Sequence, residues 1–349
     1  MTVKTVTLPR FRFEDGTELI EVPVAFQTWG ELNSTRNNVI LVCHSLTSNT
    51  AVDEWWPGIM GPGRALDTDR YFVICANAIG SPYGTVSPAS RKPGSDEIYG
   101  PDFPVPTLRD TVALHKKLLD ALDIQGVAFP IGGSMGGMQV LEWAFYGEFV
   151  KALVPIGVGG RHSAWCIAWS EAQREAIRQD PAWQGGHYAE GAGPAAGLTV
   201  ARMMAMISYR SFQSFERRFG REFQADRDPP KFSMESYLLY QGKKLVQRFD
   251  ANCYFRLTQS MDTHDLARGR GDYYEVLGSI EQPALVIGID SDLLYPLAEQ
   301  RELAEHMPRA ELAILEAPHG HDSFLIELET INGLVDNWRR ETVDPLFVR

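Results

Sequence analysis

Hydrophobic positions along the chain follow two rhythms, and their order predicts the architecture. Residues 4–28 alternate between apolar and polar side chains, which is typical of antiparallel strands. Short apolar runs rich in β-branched residues predict buried strands further along, with helical periodicity between them. These strands lie at 38–43, 71–76, 127–131 and 152–158, and the helices at 107–122 and 135–146. The alternation predicts a mostly parallel sheet covered by helices on both faces.

The pattern changes after residue 160 and returns near residue 275. Residues 161–274 have helical spacing and few strand signals, and they are rich in Trp, Met, Arg, Gln and Tyr. We therefore predict one α/β core, formed by residues 1–160 and 275–349, with an inserted helical lid at 161–274, here called the cap. The last core elements are a strand at 283–289, a helix at 297–306, a strand at 311–316 and a helix at 323–339.

Composition and charge narrow the class of function. The chain has 349 residues, of which 44% are hydrophobic and 22% charged, as in ordinary globular proteins. A formal net charge of −12 argues against a broad basic surface for nucleic acid or anionic membranes. The sequence shows neither an apolar signal core nor a run of membrane-spanning length. We therefore expect a cytoplasmic protein that binds neither nucleic acid nor a membrane.

The cysteines and histidines do not indicate a metal site. Cys43, Cys75, Cys166 and Cys253 form no CxxC pair, so we expect reduced, mostly buried thiols. Three histidines are interpreted as exposed or capping residues: His115, His264 and His306.

The segment from residue 127 to residue 138 carries the strongest chemical signal. It contains Gly132-x-Ser134-x-Gly136 between a predicted strand and a predicted helix. Such a strand–turn–helix corner is called a nucleophile elbow, and its glycines avoid collisions in a strained turn. The five-residue pattern alone arises often by chance, so its context carries the argument. We predict that Ser134 is the nucleophile of an acyl transfer.

A serine nucleophile needs a base, and the base needs an acid to orient it. In α/β-hydrolase folds both follow the serine in the order acid, then histidine. Asp292 and His321 each follow a predicted strand, and the carboxyl ends of parallel strands are where such sheets build their sites. We predict the triad Ser134, Asp292 and His321. The rivals Asp290 and His319 are interpreted as structural loop residues.

An acyl transfer also needs donors for the oxyanion that develops on the carbonyl oxygen. The backbone N–H of Met135 follows the nucleophile directly, so it is the first predicted donor. The second is the backbone N–H of Leu46, in the loop after the strand at 38–43. His44, in the same loop, is interpreted as structural.

Longer blocks of the sequence resemble the homoserine O-acetyltransferases. They span roughly residues 40 to 325 and include HSLT, GPGRALDTDRYFVICANAIGSPYG, GGSMGGMQVLEWA, GLTVARMMAMISYRS, SDLLYP and GHDSFL. The loop reads HSLTSN, where many members have HALTG followed by a polar residue. The resemblance implies an α/β-hydrolase fold with a helical cap, pairing into a homodimer, and no permanently bound cofactor. Acetyl-CoA would be a co-substrate.

The resemblance also implies a ping-pong transfer of acetyl to homoserine, in methionine biosynthesis, and three residues that recognise the amino acid. They are Arg202, Tyr209 and Asp322. Their chemistry agrees, because Arg202 and Tyr209 lie two helical turns apart on one face and a guanidinium fits an α-carboxylate. Asp322 suits an α-ammonium. The alternatives are a surface position for Arg202 and a helix N-cap for Asp322.

Other functions remain open at this point. Relatives of the family act on serine, in cysteine biosynthesis, or use succinyl-CoA. The same triad hydrolyses esters when water reaches the acyl-enzyme. A non-catalytic binding protein that kept the fold is a third class, which the intact triad disfavours.

Overall fold

The computed structural model describes residues 2–347, and its centre is an eight-stranded sheet. Its strands, numbered along the chain with a separate hairpin taking numbers 7 and 8, are β1 (Lys4–Arg12), β2 (Glu18–Trp29), β3 (Val39–Val42), β4 (Phe72–Ala76), β5 (Val127–Gly133), β6 (Val154–Ile156), β9 (Ala284–Ile289) and β10 (Ala310–Leu315). They are arranged in the order β1-β2-β4-β3-β5-β6-β9-β10. The pairs β1–β2 and β2–β4 are antiparallel, and every other pair is parallel. The predicted mostly parallel sheet is confirmed.

Helices cover both faces of this sheet. Those outside the cap are α1 (Val52–Trp55), α2 (Leu108–Ala121), α3 (Met135–Trp143), α10 (Leu297–His306), α11 (Ser323–Ile326) and α12 (Leu328–Trp338). Successive residues of β3 point to opposite sides, as strand geometry requires. Val39 and Leu41 join a hydrophobic cluster with α2 and α3, whereas Ile40 and Val42 join one with α12. Two cores therefore hold the sheet between helical layers.

The cap segment is mainly helical. Its elements are α4 (Ala164–Arg178), α5 (Ala195–Tyr209), α6 (Phe212–Arg218), α7 (Ser233–Val246), α8 (Ala251–Asp262), α9 (Tyr273–Gly278) and a short hairpin of β7 (Phe223–Gln224) with β8 (Lys231–Phe232). The hairpin was not expected, and α9 runs past the predicted end of the cap at residue 274. Between residues 2 and 347 no helix is both long and apolar enough to cross a membrane.

Several predicted boundaries differ from the structure. The helix predicted for 135–146 ends at Trp143 and continues as a 3₁₀ turn, and the strand predicted for 152–158 is only Val154–Ile156. The closing helix predicted for 323–339 is broken at Glu327, where φ is −85° and ψ is 53°. Residues 348–349, the end of the predicted second core segment, and Met1 lie outside the described residues.

The interpretation of His115 and His264 as exposed or capping residues is wrong. They are 1% and 2% exposed. Nε2 of His115 lies 3.1 Å from a backbone carbonyl oxygen, and Nε2 of His264 lies 2.9 Å from another. Burial lowers the pKa of both, that of His115 to about 4, so both rings are neutral core residues. His306 does lie at a helix end, with Nδ1 2.9 Å from the Glu302 carbonyl oxygen.

Candidate active site

Ser134 occupies the corner between β5 and α3. Its backbone has φ 59° and ψ −128°, a conformation that costs a non-glycine residue about 1–3 kcal/mol. The corner is packed against the end of β3. A side chain at Gly132 or Gly136 would overlap the carbonyl oxygen of Cys43. The glycines are therefore needed because the backbone of a neighbouring strand passes directly beside the elbow.

Asp292 and His321 form a buried pair beside the elbow. Nδ1 of His321 lies 2.6 Å from Oδ2 of Asp292, and the residues are 2% and 4% exposed. The other carboxylate oxygen, Oδ1, accepts the backbone N–H groups of Leu294 and Tyr295 at 2.8 and 2.9 Å. A carboxylate held on both sides fixes the ring and its tautomer. The proton is therefore on Nδ1, and Nε2 is left as the acceptor.

Two opposing effects set the pKa of His321. Burial lowers the pKa, whereas the charge of Asp292, its hydrogen bond and the charge of Asp322 raise it. Together these charges and the hydrogen bond outweigh burial, so the net pKa is raised. Within the described chain Nε2 has no hydrogen-bond partner. The rings of Tyr295 and Phe324 pack on the imidazole, at 5.2 and 5.6 Å between ring centroids.

A cavity of about 60 Å³ gathers most of the predicted site residues. Asp292 lies behind His321, and Met135 directly follows Ser134. The lining residues are Ser45, Leu46, Thr47, Ser48, Ser134, Arg202, Tyr209, His321, Asp322, Phe324 and Leu325. Segments that follow β3, β5 and β10 thus meet α5 at the carboxyl ends of the strands, as predicted for this class of sheet.

Leu46 lies in a tight turn, here called the oxyanion turn (residues 44–48). The carbonyl oxygen of Ser45 accepts the N–H of Ser48 at 3.0 Å and Nδ1–H of His44 at 2.8 Å. Because the peptide group is planar, two donors on this carbonyl also fix the direction of the Leu46 N–H. Over residues 2–347 neither this N–H nor that of Met135 donates to another protein group. Both remain available for an oxyanion.

His44 acts as a structural element of this turn. Its Nε2 accepts the N–H of Ala78 at 2.9 Å while Nδ1 donates to the turn. Burial lowers its pKa to about 4, with its bond to Ser45 in opposition. The ring is therefore neutral at physiological pH, as it must be for Nε2 to accept the Ala78 N–H.

Gln139 was missed by the sequence reasoning. It is fully buried, and its Nε2 donates to the carbonyl oxygens of His44 and Met135, both at 3.3 Å. One amide therefore ties the oxyanion turn to the elbow helix, and so ties together the backbone segments of the two predicted donors. A polar residue in the apolar run Met135–Trp143 was the only signal in the sequence.

Arg202 and Tyr209 share a face of α5, as their spacing predicted. The Arg202 guanidinium carbon lies 5.6 Å from the centre of the Tyr209 ring, which lies 5.8 Å from the His321 ring. Both residues border the cavity, so the alternative of a surface position for Arg202 is not supported. A cation therefore stands beside the triad.

Asp322 is the only carboxylate among the residues that line the cavity. Its side chain makes no capping bond to α11, so the alternative role as an N-cap is not supported. Its Oδ2 lies 3.8 Å from Nε of Arg210, a residue that the sequence reasoning missed although it follows Tyr209 directly. Burial raises the pKa of Asp322, and the charges of Arg210, Arg202 and His321 oppose that rise.

Asp290 and His319, the rivals for the acid and the base, each contact neighbouring segments of the chain. Oδ1 of Asp290 accepts the N–H of Ala317 at 3.0 Å. Nδ1 of His319 lies 3.5 Å from Oγ of Ser214, and its Nε2 lies 3.4 Å from Glu327. Among residues 2–347 no group of three His, Cys, Asp or Glu side chains is arranged to hold a metal ion.

This fold, with serine, aspartate and histidine in this order along the chain, is that of the α/β-hydrolase class of enzymes. The family model described as alpha/beta hydrolase fold matches residues 38–328. A homoserine O-acetyltransferase of Salinibacter ruber is 57% identical over 341 residues, covering 96% of this chain and 97% of that protein. The chain belongs to the homoserine O-acetyltransferase family, which are acyltransferases, and the resemblance is confirmed.

Solved structures with the same fold include transferases and esterases. A homoserine O-acetyltransferase from Bacillus anthracis has a TM-score of 0.90 at 27% identity, covering 98% of each chain. Esterase E22 has a TM-score of 0.87 at 26% identity, covering 96% of this chain and 99% of its own. The fold alone therefore does not separate acyl transfer to an amino acid from hydrolysis.

Proposed function

We propose that this protein moves an acetyl group from acetyl-CoA to the side-chain hydroxyl of L-homoserine. The observation that carries the proposal is one small cavity in which Ser134 and His321 meet a cation and a carboxylate. The family's relatives carry the name of this reaction. Acetyl-CoA is proposed as a co-substrate that comes and goes, with no permanently bound cofactor.

In the first half-reaction Oγ of Ser134 attacks the thioester carbonyl carbon. Nε2 of His321 takes the serine proton, and Asp292 stabilises the resulting imidazolium. The N–H groups of Leu46 and Met135 donate hydrogen bonds to the oxyanion. The intermediate then collapses, the carbon–sulfur bond breaks, and the CoA thiolate takes the proton from His321. An acetyl ester on Ser134 remains.

In the second half-reaction the acceptor hydroxyl gives its proton to His321 and attacks the acetyl carbonyl. Collapse breaks the bond to Oγ, and His321 returns the proton to Ser134. Arg202 would pair with the α-carboxylate and Asp322 with the α-ammonium, while Tyr209 packs between Arg202 and the triad. A zwitterion matches this pair of opposite charges better than water or a simple alcohol.

The cap, proposed as residues 161–274, would close this cavity and also supply the surface for a homodimer. Large apolar side chains are exposed on neighbouring helices, with Val200 and Ile207 on α5 and Tyr240 on α7. Such a face is typical of an interface between subunits. Sedimentation of the wild type and of Ile207→Lys tests this pairing. We propose a cytoplasmic location.

An ester hydrolase is the second candidate, favoured by the likeness to esterase E22. The test is to incubate the protein with acetyl-CoA, with and without homoserine, and to follow free CoA and O-acetylhomoserine. Transfer predicts faster CoA release with homoserine and a matching yield of ester. Equal release of acetate in both samples would refute the transferase. Serine and succinyl-CoA, run in the same panel, decide the acceptor and the donor.

A further inference from the structure

The oxyanion turn is held on its core side by His44 and Gln139, but the carbonyl oxygen of Thr47 points toward the cap. Nη1 of Arg248 donates to this oxygen at 2.7 Å. Arg248 lies between α7 and α8, far along the chain from the turn. The contact therefore joins the cap directly to the backbone next to Leu46.

Arg248 has a second partner, the hydroxyl of Tyr83, to which Nη1 also donates. Tyr83 belongs to the Ser81–Gly84 segment, to which the mechanism assigns no role. Its carbonyl oxygen accepts a hydrogen bond from the Asn77 side chain, and its ring packs edge-on against Phe249 at 5.8 Å. Tyr83 is thus anchored to the core and to the cap, and it restrains the guanidinium.

We propose that Arg248 is a positioning residue, through which the cap orients the oxyanion turn. The inference rests on the proposed function, because it assumes that the Leu46 N–H donates a hydrogen bond to the oxyanion. An oxyanion donor acts by being in place before the charge develops, so a turn that moves loses part of its effect.

The test uses two acetyl donors whose carbonyl oxygen becomes the same kind of oxyanion, but whose net charges differ. Neutral p-nitrophenyl acetate has no phosphates for an arginine to bind, whereas acetyl-CoA has several. We expect Arg248→Met to lower the turnover of both donors about tenfold, mainly through kcat, with an unchanged KM for homoserine. Tyr83→Phe should act in the same direction but less strongly. The double variant should match Arg248→Met, because the two side chains act as one unit.

Three controls make the result decisive. Lys244→Met removes an exposed charge on neighbouring α7 and should leave the turnover of both acyl donors unchanged. Arg248→Lys keeps a donor and should retain more activity than the methionine variant. Thermal unfolding midpoints of all variants report whether the fold is intact.

The outcomes separate this inference from the proposed function. A loss confined to acetyl-CoA and expressed in its KM would mean that Arg248 binds the phosphates, which overturns the positioning role. Unchanged turnover of both donors would overturn it as well. If Ser134→Ala still turned over p-nitrophenyl acetate at the wild-type rate, the assignment of the nucleophile itself would fail.

Discussion

Nδ1 of His321 lies 2.6 Å from Oδ2 of Asp292, and the pair is closed to solvent. The charge and hydrogen bond of this carboxylate raise the pKa of a histidine that burial alone would lower. In the proposed mechanism, His321 must be unprotonated to accept the proton of Ser134. The activity of the enzyme should therefore increase with pH, through a pKa above the ordinary value of 6.5.

Asp292→Asn should change both the maximal activity and the pH at which the activity rises. Without the carboxylate, the lowering effect of burial is no longer offset by Asp292, so the pKa of the imidazole falls and the rise of activity moves to lower pH. The plateau should drop by about 10³–10⁴-fold because the tautomer is no longer held. A pH profile of p-nitrophenyl acetate turnover measures both effects. A rise of activity that moves to higher pH would contradict the assignment of Asp292.

Gly136→Ala should destabilise the protein, because the new methyl group overlaps the Cys43 carbonyl oxygen. Overpacking of this kind costs about 1–3 kcal/mol, and here it also displaces the oxyanion turn. Gly333→Ala is the matched control. It lies in α12 with open space at the Cβ position, so alanine should stabilise by about 0.5–1 kcal/mol. Urea unfolding midpoints should move in opposite directions, and equal shifts would argue against the crowded elbow.

Arg202→Ala should separate the two half-reactions. Loss of a charge-assisted pair with the α-carboxylate costs about 2–3 kcal/mol, so kcat/KM for homoserine should fall roughly 30- to 150-fold. Acetylation of Ser134 by acetyl-CoA should change little. Rapid-quench measurement of each half-reaction is the check. If both fell together, Arg202 would serve the triad or the donor and not the amino acid.

Asp322→Asn should weaken only acceptors that carry an ammonium group. The carboxylate lies in the cavity near Arg202, and it is the partner proposed for the α-ammonium. We expect a higher KM for homoserine, with unchanged acetyl transfer to a simple alcohol such as 1-propanol. Equal losses for both acceptors would show that Asp322 acts mainly through its neighbour His321.

Local patterns in the sequence were sufficient to predict the fold class and to select Ser134, Asp292 and His321, which the structure brings close together. The elbow needs glycines at fixed offsets, and Asp292 and His321 follow strands whose apolar runs are readable without tertiary information. The spacing of Arg202 and Tyr209 similarly placed both on one helix face. Such features depend on residues that are close along the chain, so they can be predicted from a single sequence.

Contacts between distant segments were not predictable in this way. Gln139 and Arg248 hold the oxyanion turn from positions 95 and 201 residues away from their partners. Burial of His115 and His264 depends on carbonyl groups of other segments, and the break at Glu327 interrupts a continuous helical pattern. Tertiary packing decides each of these, whereas periodicity reports only local preference.

The most direct test of the proposed function is the intact mass of the protein after brief exposure to acetyl-CoA. We predict a single acetyl increment on the wild type, its absence in Ser134→Ala, and its loss when homoserine is added, with one O-acetylhomoserine formed for each increment lost. Loss of the acetyl group at the same rate with and without homoserine, or an increment that survives in Ser134→Ala, would contradict acyl transfer to homoserine through Ser134.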